Sequence, residues 1–68
     1  MKSMKREDIL GTINDLSKTQ GFYSRLKHNL EEMFENDYES FDNYLNSLED
    51  KQFKDPVDLV MYLESESQ

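Results

Sequence analysis

Apolar residues recur at helical spacing in four stretches of the chain. Ile9, Ile13 and Leu16, with Leu10 beside them, share one face and predict a first helix. Ser3 is placed to cap it, offering an oxygen to the free amides of the first turn. Arg6 in that turn opposes the helix dipole, whereas Glu7 and Asp8 suit it. Gly11 in the interior costs about 1 kcal/mol relative to Ala, unless it serves a close helix approach. The segment 17–21 breaks the pattern, with Thr19 or Ser17 as the next cap and Gly21 easing the join. Phe22, Leu26, Leu30 and Met33 then form a second stripe, with Tyr23 and Phe34 at its edge. Asn36 or Asp37 caps a third helix bearing Tyr38, Phe41, Leu45 and Leu48, with Tyr44 on the flank.

The sharpest local signal is Asp55-Pro56-Val57-Asp58. Asp55 is an N-cap, and Pro56 occupies the first helical position, where its missing amide costs nothing and its fixed φ is already helical. Asp58 puts negative charge at the third position, as the dipole favours. Leu59, Val60 and Leu63 supply a short apolar face, and Phe53 is expected to fold back on it. Residues 65–68 hold no apolar side chain and are expected to fray as an acidic tail. The fold class is therefore all-α: a compact small bundle of three to four short helices, in one domain over residues 1–64. With few β-branched residues and no hairpin dipeptide, strands have no support.

The chain has 68 residues and no cysteine. Disulfides and thiolate metal sites are thereby excluded, and a reducing, cytoplasmic setting is expected. The basic start (Lys2, Lys5, Arg6) is followed by no apolar stretch, which is unlike a secretory signal, and nothing approaches a membrane span. Eight Leu, four Phe and four Tyr are too many large side chains for disorder and enough for one small core. They leave few to line a ligand cavity.

Net charge is −7, unevenly spread. Residues 1–28 carry six Lys/Arg against three acids, while residues 29–68 carry two Lys against twelve acids. The run from Glu31 to Asp42 contains Glu31, Glu32, Glu35, Asp37, Glu39 and Asp42 and no base. Such a field repels nucleic acid and anionic lipid and favours a basic partner; its plainer use is to keep a small protein in solution. His28 is the single histidine. With Ser24 one turn away, it lacks the oriented third group and pocket that catalysis needs, so it reads as a surface residue. No calcium loop, Glu-x-x-His pair or phosphate-binding glycine loop occurs, and no catalytic residue, cofactor or metal is expected.

What remains is surface. Tyr23, Tyr44 and Tyr62 fall at the edges of their stripes and Met61 points off the last one; such residues are favoured in protein interfaces. Together with Glu31, Glu32, Glu35, Asp37 and Glu39 they form the candidate partner-binding set.

Two blocks carry a resemblance: Thr19-Gln20-Gly21-Phe22-Tyr23-Ser24-Arg25-Leu26 and residues 53–64, FKDPVDLVMYLE. They resemble short uncharacterised helical proteins carried by phages, plasmids and conjugative elements of low-GC Gram-positive bacteria. The resemblance spans most of residues 9–64 and implies a mobile-element accessory protein, with no catalytic residue to carry over. That group has a second glycine where this chain has Ser24.

The leading expectation is a non-enzymatic protein–protein interaction module with an unidentified, basic partner, or one that self-associates to gain burial. An acidic nucleic-acid mimic that inhibits a basic host protein is the first alternative. A small DNA-binding regulator using residues 18–28 is the second, and it must bring an acidic half toward a polyanion.

Overall fold

The computed structural model describes residues 2–66. Among them there are four α-helices and no strand: α1 Arg6–Ser17, α2 Gly21–Asn36, α3 Tyr38–Asp50 and α4 Pro56–Glu66. The backbone of α1 runs close to all three others, that of α2 also to α3, and α4 approaches α1 alone. The bundle is thus built around the first helix. Its Cα radius of gyration is 11.5 Å, against about 11 Å for a compact chain of this length.

Each helix enters by a different device. At α1 the cap is Lys5, not Ser3, and the Asp8 carboxylate accepts from the Lys5 amide at 3.1 Å. The cap moves because Met4 is drawn into the core and its amide donates to the Phe53 carbonyl at 2.8 Å, tying the start of the chain to the α3–α4 loop. Ser17 and Thr19 do not cap α2. Their hydroxyls donate back to Asn14 and Leu16 carbonyls, closing the end of α1, and Gln20 begins α2 without a side-chain bond.

Asp37 alone separates α2 from α3; it accepts from the Ser40 amide at 3.3 Å and the Ser40 hydroxyl at 2.7 Å. At α4 the expected cap is present, with Asp55 accepting from the Asp58 amide at 3.0 Å. α4 continues to Glu66, two residues past the expected limit, and the Tyr62 hydroxyl donates to Glu66 at 2.6 Å. The rest of the expected tail, residues 67–68, lies outside the described residues.

Core membership follows the predicted stripes in α1, α3 and α4. Ile9, Ile13, Phe41, Leu45, Leu48, Leu59 and Leu63 are buried, joined by Met4, Leu30 and Phe53. Each fully buried aliphatic side chain contributes roughly 1.5–3 kcal/mol relative to exposure. No polar or charged residue is buried among the described residues.

The second helix departs from its stripe. Tyr23, expected at the edge, has no exposed surface, while Phe22, Leu26 and Met33 are only partly covered. Tyr38 is also turned outward, at 53% exposure. A Cβ at Gly11 would meet nothing, so that glycine serves no close approach. No helix among the described residues is long and apolar enough to cross a membrane.

Candidate interaction groove

The turn at residues 18–20 lays α1 and α2 side by side, and a groove of about 720 Å³ opens along their line of contact. Its floor is apolar: Leu10 and Ile13 from α1, Leu30 from α2 and Phe41 from α3. Its rim on α2 bears Glu31, Glu32, Phe34 and Glu35, with Lys27 and His28 toward the other end and Asn14 facing from α1.

At the α2–α3 joint the floor continues into an exposed aromatic cluster. Phe34 meets Phe41 edge-on at 5.2 Å between ring centres and Tyr38 at 5.6 Å. Phe34 is 56% exposed. The cause is local: one residue between the helices leaves too little chain for α3 to fold over the last turn of α2. Phe34 and Tyr38 pack on Phe41 and on each other with their outer faces in water.

The six carboxylates of the acidic run do not act as a block. Asp42 takes Arg6 Nη2 at 2.7 Å, in a network with Asn46 and Glu49 that joins α1 to α3. The Arg6 amide also donates to Glu49 at 3.1 Å, so the residue that opposes the α1 dipole is used as a tether. Asp37 is the α3 cap, and its two bonds from Ser40 hold its carboxyl below the usual carboxylate range. Glu39 lies in the first turn of α3, where the dipole favours it. Glu32 faces His28 Nε2 at 2.9 Å, with both side chains largely exposed. Glu31 and Glu35 form no ion pair among the described residues.

The nine expected partner-binding residues therefore separate. Glu31, Glu32 and Glu35 come together on the groove rim. Asp37 borders a shallow neighbouring cleft with Met33 and Asn36, and Glu39 sits beyond it in the first turn of α3.

Tyr44, Met61 and Tyr62 belong to the α3–α4 side, remote from the groove lining. Tyr62 packs on Phe53 at 5.6 Å, with Lys51 Nζ 4.6 Å from its ring centre, and its bond to Glu66 raises the phenol pKa. Burial, then the charge of Glu66, raises that of Tyr44. Met61 is exposed on α4.

Tyr23 must be corrected outright. It is a core residue whose hydroxyl finds no partner among the described residues, and burial, then the charge of Glu64, raises its pKa. It has no surface to offer a partner.

Phe34, Tyr38, Leu10 and Phe41 were missing from the expected site. The signal was the pair Phe34 and Tyr38, four residues apart across a helix break. Among the described residues no group of three or more His, Asp or Glu is gathered as a metal would need. No family model, curated protein or solved structure matches this chain.

Proposed function

We propose that the protein is a non-enzymatic protein-interaction module that binds through the groove between α1 and α2 and the aromatic cluster at its end. The observation that carries this reading is the exposure of Phe34 and Tyr38 at the mouth of an apolar floor. Large apolar side chains grouped at a concave edge are what partner surfaces are made of, whereas single exposed ones are ordinary. A role as a mobile-element accessory protein is part of the proposal. It rests on the resemblance in residues 19–26 and 53–64, and those blocks supply core residues (Tyr23, Phe53, Leu59, Leu63) rather than the groove rim.

A nucleic-acid mimic draws less support, since Asp37 and Asp42 are engaged within the fold. DNA binding through residues 18–28 draws least, since Tyr23 is internal and the chain is strongly acidic.

The test is site-specific photo-crosslinking in a lysate of the encoding organism, with the crosslinker at position 34 or at position 57. Val57 is equally exposed but on α4. A discrete adduct from position 34 and none from position 57 is expected. No adduct at 34, or the same adducts at both, would remove the reading.

A further inference from the structure

We propose that the occupant of this groove is an amphipathic helix of a partner protein, basic along its flanks and carrying a bulky apolar anchor; this rests on the interaction-module reading above. Helical form follows from the groove's construction. Its walls are helices whose amides and carbonyls bond within themselves. An extended segment would find no backbone to pair with and would leave its own polar groups unmet. A helix arrives with those groups satisfied and presents side chains at i, i+3, i+4 and i+7 to an apolar floor.

Basic charge follows from the rim. Three carboxylates, Glu31, Glu32 and Glu35, share the rim with one lysine, Lys27, a turn before Glu31. Glu31 and Glu35 are themselves one turn apart, a like-charge pairing, and neither forms an ion pair among the described residues. Glu35 also stands in the last turn of α2, the negative end of the dipole, where no basic residue offsets it. This end of α2 carries charge that works against its own helix. A Lys or Arg from outside relieves both repulsions at once.

A second copy of this chain is the poorer occupant. Its exposed apolar pair, Val57 and Met61, lies on α4 with Asp58 and Glu64 on the same helix, and its net charge of −7 sets copy against copy.

The chain contains no Trp, so a Trp placed in a probe peptide reports binding by its own emission. Two helical peptides of about 16 residues share one apolar face with Trp as anchor; one carries Lys/Arg on its flanks and the other Glu. The basic peptide is expected to bind about tenfold or more tighter and to lose most of that advantage between about 0.05 and 0.5 M salt. Glu31→Gln with Glu35→Gln should weaken it several-fold. Asp15→Asn with Asp50→Asn removes the same charge elsewhere and should change it by less than about twofold. Phe34→Ala should weaken both peptides alike.

Equal binding of the two peptides, still sensitive to Phe34→Ala, would overturn the basic partner while leaving the groove as a contact surface. Equal loss in the two double variants would reduce the effect to overall charge and overturn the proposal. Binding of neither peptide, with concentration-dependent dimerisation abolished by Phe34→Ala, would make a second copy the occupant and overturn it too. Binding of neither by a strict monomer overturns it as well, and the crosslinking at position 34 then decides separately whether the groove is a contact surface at all.

Discussion

Carboxylates on α3 and on α2 stand in opposite situations, though the sequence gives them the same look. On α3, Asp42 and Glu49 pair with Arg6, which also donates to Asn46, and so hold α1 in place beside the buried Leu45 and Leu48. On α2, Glu31 and Glu35 lie beside Phe34 and form no ion pair among the described residues, Glu35 in the last turn where the dipole suits it least. The first pair is spent on the fold. The second is left over, and it borders apolar surface that is also left over. An acidic stretch therefore says little until each carboxylate is matched with what it touches.

The contrast is sharpened first by removing apolar groups on each side. Leu45→Ala, beneath the tethered pair, should cost about 2–5 kcal/mol in urea unfolding. Phe34→Ala, beside the free pair, should cost about 1 kcal/mol or less, since its ring is already half in water. Similar losses at the two sites would mean that Phe34 belongs to the core.

Charge removal comes next. Arg6→Gln leaves Asp42 and Glu49 facing each other without their cation, and should lower the melting temperature with a clear dependence on salt. A melting temperature that does not move would show the tether to be incidental.

Acid offers a third comparison, through Asp37. Its carboxyl is held below the usual range by Ser40, so its stabilising contribution is present above that range and lost as pH falls through the lowered value. Helicity followed down an acid titration should fall there, and the Asp37→Ala variant, already without that contribution, should fall less. Identical acid profiles would exclude Asp37 as a source of the loss.

The smallest effect has the opposite sign. Glu35→Gln should stabilise the protein by about 0.2–0.5 kcal/mol, by ending its i,i+4 repulsion with Glu31 while leaving Lys27 one turn from Glu31. Destabilisation would mean that Glu35 has a structural partner after all.

Legibility in the sequence tracks how local each decision is. The start of α4 could be read from Asp55-Pro56 because cap and proline act within one turn. The cap of α1 could not, because Lys5 replaces Ser3 only once Met4 meets Phe53, nearly fifty residues away. In α2 the apolar residues at 22, 23, 26, 30, 33 and 34 support two overlapping stripes that share Leu30. Which one turns inward is settled by α1 and α3, and Tyr23 rather than Phe22 goes to the core. Phe34 lies on the inward stripe yet stays in water for a local reason, the single residue Asp37 between α2 and α3. A stripe reading of α2 alone therefore finds the carboxylates of the groove and misses its aromatic half.

The difference between the two carboxylate pairs is tested most directly by backbone amide NMR of the labelled protein titrated with the basic Trp peptide. Shift changes should gather at residues 10–14 and 27–35 and spare the Arg6, Asp42 and Glu49 tether. Changes spread over every acidic surface alike, or centred on the tether, would contradict the account.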